Sequence, residues 1–153
     1  MKPLIAIDPG KSGGVAWMDL EGVVSTANMP DTVGGIVSLL RELKVRGLNE
    51  AILERVGGYI AGTPTPGSFM FRFGESYGVI QGCLAALGFR YELVLPQKWQ
   101  KPLALGTRGS AGGSSEWKRR LKSEAERRFP NLDVTLKTAD ALLILDYAIA
   151  QNK

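Results

Sequence analysis

The stretch Leu4-Ile5-Ala6-Ile7-Asp8-Pro9-Gly10-Lys11-Ser12-Gly13-Gly14-Val15-Ala16-Trp17-Met18 decides the architecture. Four apolar residues run into a carboxylate, a proline and three glycines make a turn, and a second apolar run follows. This reads as a buried strand, a glycine-rich turn and a second strand. Glu21-Gly22 is another turn signal, and Val23 to Met29 returns as a third strand. Three antiparallel strands therefore open the chain. Asp31 or Thr32 can cap the helix that follows, whose apolar positions Val33, Ile36, Val37, Leu40 and Leu43 recur at helical spacing until Gly47 stops it. Ala51 to Glu54 is a short strand after a helix, which predicts a parallel neighbour and cover on both faces.

Gly57 to Ser68 contains four glycines and two prolines and predicts a mobile loop, directly behind a strand that ends in a carboxylate. A long helix comes next, with Phe69, Phe73, Tyr77, Ile80, Leu84 and Leu87 on its apolar face. Tyr91 to Leu95 reads as another strand, and Pro96 opens a short helix through Trp99. Gly106 to Ser115 is a second glycine and serine loop, expected to be disordered without a partner. A basic helix, Pro130 and a C-terminal helix around Ala139 to Ala150 complete the chain. Three strands followed by alternating helices and strands predict an α/β fold, a mixed five-stranded sheet flanked by helices, in one domain spanning 1–153.

Composition narrows the chemistry. The 153 residues are 44% hydrophobic, enough for one core without disulfides or metal. Cys83 is the single cysteine, so no intramolecular disulfide can form and a reducing compartment is the natural setting. No apolar run approaches the ~20 residues that span a bilayer, and the N-terminus reads as a strand, not a secretion signal. A cytoplasmic, membrane-free location is expected, as is the absence of an organic cofactor. There is no histidine, which removes histidine triads, histidine zinc sites and the histidine general base.

The net charge of +4 is unevenly placed. From Glu116 to Arg128 the chain carries Lys118, Arg119, Arg120, Lys122, Arg127 and Arg128 against Glu116, Glu124 and Glu126. Such a stretch attracts phosphate backbones, or forms a solvated face of i,i+4 pairs.

Asp8 and Glu54 end two strands. Parallel neighbours would set those ends side by side at the edge where open α/β sheets keep their ligands. Asp140, in the first part of the last helix, could join them if that helix crosses the edge. Three carboxylates without histidine suit a hard ion, Mg²⁺ or Mn²⁺, able to activate water against a phosphodiester.

Ile5-Ala6-Ile7-Asp8-Pro9-Gly10 with Gly13-Gly14 resembles the opening strand of RuvC-like Holliday junction resolvases, in the ribonuclease H-like superfamily. Glu54 resembles their second acid. Met70-Phe71-Arg72-Phe73-Gly74-Glu75-Ser76-Tyr77-Gly78, Leu84-Ala85-Ala86-Leu87-Gly88, Pro96-Gln97-Lys98-Trp99-Gln100-Lys101 and Ala139-Asp140-Ala141-Leu142-Leu143-Ile144 are similar to phage-type members, in the same order. The resemblance implies a homodimeric, metal-dependent endonuclease that nicks four-way DNA junctions, in a bacterial or phage-infected cell near the nucleoid. It implies Asp8, Glu54 and Asp140 as metal ligands, and Lys98 and Lys118 near the scissile phosphate. Arg72, Lys98, Lys101, Lys118, Arg119, Arg120 and Lys122 are the expected DNA contacts. Phe69 and Phe73 read as core, whereas Phe71 falls off their stripe and is the expected wedge at the junction. Gly74, Gly78 and Gly82 recur every four residues, each costing up to ~1 kcal/mol of helix propensity. A close approach, the dimer interface, is expected to offset them.

One position departs from the family pattern. A fourth acid, sometimes a histidine, usually stands one turn before the last aspartate. Here that place is held by Lys137, read as lying on the face of Asp140 and assisting catalysis by charge alone. Asp133, seven residues before Asp140, is about 10 Å away along a helix and could help only if the chain is not helical there, and Asp146 points elsewhere. The alternative is a branched-DNA-binding protein of the same fold, with weak or no cleavage because of Lys137. A related flap or RNA–DNA hybrid nuclease is also open. The Asp-Pro-Gly turn further resembles the phosphate loop of actin-like ATPases and sugar kinases, but those need two such domains.

Overall fold

The computed structural model describes residues 2–55, 57 and 67–152. Its elements are β1 (Leu4–Asp8), β2 (Gly14–Met18), β3 (Val24–Asn28), α1 (Val33–Val45), β4 (Glu50–Glu54), α2 (Gly67–Ala86), β5 (Arg90–Val94), α3 (Pro96–Gln100), α4 (Ser114–Arg128) and α5 (Ala139–Gln151). A single 3₁₀ turn, Lys101–Leu103, follows α3. The strands form one sheet in the order β3-β2-β1-β4-β5. The first three pair antiparallel, and β1–β4 and β4–β5 pair parallel, as expected from the chain order. Most of the Gly57–Ser68 loop lies outside the described residues, and its last two residues already belong to α2.

Period-two alternation sorts the strands into two buried faces. Leu4, Ala6, Ala16, Met18, Ile52 and Val94 join the core beneath α4 and α5, where Leu142, Leu143 and Ile144 pack. Ile5, Ile7, Val15, Trp17, Ala51 and Leu53 point the other way, against Ile36, Leu40 and Leu43 of α1 and Ile80 and Leu84 of α2. Continuing the first row by two residues from Ala6 and Ile52 reaches Asp8 and Glu54. The geometry of the pleat thus aims both carboxylates at the face that α5 covers. Thr32 caps α1 by accepting from the Gly35 N–H at 3.0 Å, and Gly47, at φ +89°, ends that helix.

Two expectations need correction. The apolar face of α2 is buried only in its second half: Ile80 and Leu84 are buried, whereas Phe69 is half exposed and stacks on Phe73 at 6.2 Å. The reason is length. Twenty helical residues span about 30 Å, and five-residue strands only about 17 Å, so the first half overhangs the sheet. The Gly106–Ser115 loop, in turn, is ordered by its own bonds. The Thr107 N–H donates to Ser110 Oγ at 2.8 Å, the Ser110 N–H donates back to Thr107 Oγ1 at 3.1 Å, and Ala111 is buried. Arg120 of α4 also donates to the Leu105 carbonyl, fastening the segment from the other side.

Candidate active site

The parallel register of β1 and β4 pairs Ala6 with Ile52 and Ile7 with Leu53, so Asp8 and Glu54 come next, side by side at the strand ends. Asp140 reaches the same edge through a close backbone approach. A Cβ on Gly14 would stand 2.5 Å from the Lys137 carbonyl oxygen and 3.2 Å from Thr138 Cα. Only glycine lets the turn before α5 lie against β2 this tightly. Gly13 is equally constrained, since its Cβ would fall 2.1 Å from the Asp8 carbonyl oxygen. The Thr135 N–H donates to Thr138 Oγ1 at 3.1 Å, which fixes the turn and starts α5 at Ala139. Asp140 then occupies the first helical turn, where the helix dipole favours a carboxylate.

The Asp140 charge acts on both of the other carboxyls, and burial acts on all three. Burial pushes Asp8 well above the usual carboxylate range, the charges of Asp140 and then Glu54 push it further, and Lys118 opposes them. Burial raises Glu54 to about 7, against the pull of a hydrogen bond from Trp99 and with a further push from Asp140. Asp140 rises to about 6, again mainly through burial, with Lys118 and then Arg108 opposing. This is an under-neutralised acidic cluster partly compensated by two cations. Like charges repel, and among the described residues no three acids stand in the close grouping of a metal centre. The donor set itself, three oxygen ligands at one sheet edge, fits a hard divalent cation.

The other expected site residues divide. Lys118 extends from α4 and acts on both Asp8 and Asp140. Lys137 sits exposed in the turn that precedes α5, which begins at Ala139. It is the Lys137 carbonyl, against Gly14, that matters to the geometry. Asp133 is exposed outside any helix, and Asp146 pairs with Arg128. Lys98 is exposed and lines a groove of about 840 Å³ with Arg55 and Arg90, while the cations that act on the carboxyls are Lys118 and Arg108.

On α4 the charges are partly spent. Arg127 and Arg128 bind Glu124 at 2.6 and 2.7 Å, and Lys122 binds Glu126 at 2.7 Å. Arg119 is paired only loosely with Glu116, at 3.5 Å. Phe71, at 73% exposure, stands on the overhanging half of α2 with Arg72, which is also exposed. That half lies near the carboxylates, because the Phe73 ring covers Gly10, the residue two after Asp8. Gly74, Gly78 and Gly82 are exposed, and a Cβ on any of them would meet no described atom within 4 Å. Lys101, in the 3₁₀ turn after α3, is exposed too.

Two residues escaped the sequence reading. Arg108 lies in the loop read as disordered, and Trp99 lies in a helix too short for its buried side to be read from periodicity.

A structure of Thermus thermophilus RuvC in complex with Holliday junction substrate matches the chain with a TM-score of 0.64 at 13% identity, covering 99% of this chain and 96% of that one. A second Thermus thermophilus RuvC structure matches with a TM-score of 0.60 at 16% identity, over 98% and 96%. The fold is RuvC-like. The mixed sheet with helices on both faces follows the strand order, and its ribonuclease H-like arrangement is the one the resemblance implied. No family model and no curated protein matches the chain by sequence.

Proposed function

We propose that the chain is a structure-selective endonuclease, a single RuvC-like domain that resolves four-way DNA junctions by divalent-metal-dependent phosphodiester hydrolysis. The observation that carries this is the acidic edge: Asp8 and Glu54 end neighbouring parallel strands, Asp140 opens α5 beside them, and burial, with Asp140's charge acting on the other two, raises their proton affinity. Carboxylates kept together at that electrostatic cost are explained by a cation they serve. They would hold Mg²⁺ or Mn²⁺, which when bound lowers the pKa of water and polarises a phosphoryl oxygen.

The chain's own groups supply the rest. Lys118, beside Asp8 and Asp140, offsets charge on the scissile phosphate. Arg119, Arg120, Lys122, Arg72 and Lys101 contact phosphates away from the cut, Lys98 contacts one nearer to it, and Phe71 presses on bases at the crossover. The exposed glycine stripe of α2 takes a second copy of the chain, giving two sites for paired nicks. A cytoplasmic, nucleoid-associated location suits this activity. The binding-only alternative rests on Lys137 standing where the family has a fourth acid, and junction binding without nicking would favour it.

The test is nicking of synthetic four-way, three-way, flap, RNA–DNA hybrid and linear substrates with Mg²⁺ and Mn²⁺. Selective, paired nicking of the four-way junction that Asp8→Asn abolishes, with junction binding retained, is the expected result. Cleavage by Asp8→Asn at the native rate, or junction binding without nicking under either metal, refutes the proposal.

A further inference from the structure

Trp99 is fully buried, and its indole Nε1–H donates to Glu54 Oε2 at 2.6 Å. The chain reaches this contact by a short route. In the parallel register Val94 of β5 lies opposite Glu54, and the Arg55 N–H donates to the Val94 carbonyl at 2.7 Å, so the ladder is closed right up to the carboxylate. Pro96 then opens α3, and one turn later Trp99 comes back over the end of β4. Its ring packs in the core cluster that includes Ile52, Val94 and Leu142. A side chain held on all sides points its only donor at one oxygen of one carboxylate.

We propose that Trp99 is a positioning residue of the carboxylate site: its indole N–H fixes the orientation in which Glu54 offers its remaining oxygen to a divalent cation. This deepens, and rests on, the reading of Asp8, Glu54 and Asp140 as a metal-dependent nuclease site. A carboxylate has four lone-pair sites, and Trp99 takes one, leaving Oε1 open to a cation. A hydrogen bond to an ionised acceptor is about twice as strong as a neutral one, so it resists rotation of the carboxylate. Partners of this kind, one step removed from a metal, typically govern about 10- to 100-fold in affinity. The competing account reverses the roles. There Glu54 merely satisfies a buried indole N–H that needs an acceptor, and cation affinity owes nothing to Trp99.

Titration calorimetry of the full chain with Mn²⁺ alone separates the two. Wild type, Trp99→Phe, Glu54→Gln and the double variant are compared, with a thermal melt for each. Trp99→Phe keeps an aromatic ring in the core and removes the donor together with part of the indole volume, a loss of packing that the thermal melt registers. It should weaken Mn²⁺ binding about 10- to 100-fold. In the Glu54→Gln background the same change should add nothing, because the charged carboxylate that the indole orients toward the cation is already gone. Unaltered Mn²⁺ affinity in a folded Trp99→Phe protein, or two effects that simply add, overturns the proposal.

If Trp99→Phe does not fold, the Trp99 indole N–H resonance of the wild-type chain decides. It should move when Mg²⁺ is added and lie upfield in Glu54→Gln. A resonance indifferent to both overturns the proposal while leaving the site reading intact. A wild-type chain that takes up no Mn²⁺ at all overturns the site reading, and this proposal with it.

Discussion

Asp8→Asn should make the protein more stable at pH 8 while destroying its activity. Asparagine keeps the shape of the side chain and removes a charge from a place where burial, Asp140 and Glu54 all oppose it. The neighbours give the scale. Glu54 rises from an ordinary 4.5 to about 7, which corresponds to about 3 kcal/mol at 1.36 kcal/mol per pH unit. Asp140 rises from 3.8 to about 6, a similar amount. The two are coupled, so these figures do not add, and burial heads the causes at all three positions. Removing one charge should therefore recover about 1–3 kcal/mol, or a melting temperature higher by about 2–10 °C for a chain of this length. The sign follows from linkage. Raised carboxyls mean that the folded state holds protons the unfolded chain releases, so wild-type stability falls as pH climbs from about 4 to about 7. At pH 5 Asp140 and Glu54 are largely protonated and the gain should shrink. Thermal melts of both proteins at pH 5 and pH 8, with and without Mg²⁺, test the whole chain of reasoning. Mg²⁺ should raise the wild-type midpoint at pH 8 and leave that of Asp8→Asn nearly unmoved. A variant less stable than wild type at pH 8, or a gain of equal size at both pH values, would refute the account.

Gly14→Ala should cost about 1–3 kcal/mol in urea unfolding and slow nicking as well, since its Cβ collides with the backbone of the turn that seats Asp140; unchanged stability would show that the approach is not needed. Glu124 accepts from Arg127 and Arg128, which hold its carboxyl down at about 2. Its contribution is present above pH 4.5 and lost as pH falls toward 2, so Glu124→Gln should destabilise by about 1–2 kcal/mol at pH 7 and much less at pH 3. Replacing Arg119 and Arg120 together by alanine should flatten the salt dependence of junction and duplex binding alike, by about one unit per lost phosphate contact. An unchanged slope would make α4 a solvated face and nothing more.

That Asp8, Glu54 and Asp140 come to one end of the sheet was legible from local rules together with the family resemblance. A strand of five residues has a period of two, a parallel crossover puts strand ends at one edge, and a carboxylate at such an end has nowhere else to go. What the residues could not announce was set by contacts between distant parts. Where the last helix starts, at Ala139, is set by the Thr135–Thr138 turn and by the packing of the Lys137 carbonyl on Gly14. Phe69 and Phe73 had the spacing of core residues, but core membership also requires a sheet long enough to lie under them. The loop around Arg108 had the composition of a disordered segment, and a reciprocal pair of bonds between Thr107 and Ser110 orders it.

These departures converge on one point. The parts of the carboxylate site hardest to infer are Trp99 at Glu54 and Gly14 under Lys137, which orient the acids once the strand ends have brought them together, and Arg108, whose charge offsets that of Asp140. Bringing three carboxylates to one edge is a property of the topology and tolerates many sequences. Holding each at a usable angle depends on particular neighbours. The latter should therefore be the more sensitive to substitution: conservative changes at Trp99 or Gly14 should alter cation affinity and cleavage more than charge removal at exposed Lys98 or Lys137.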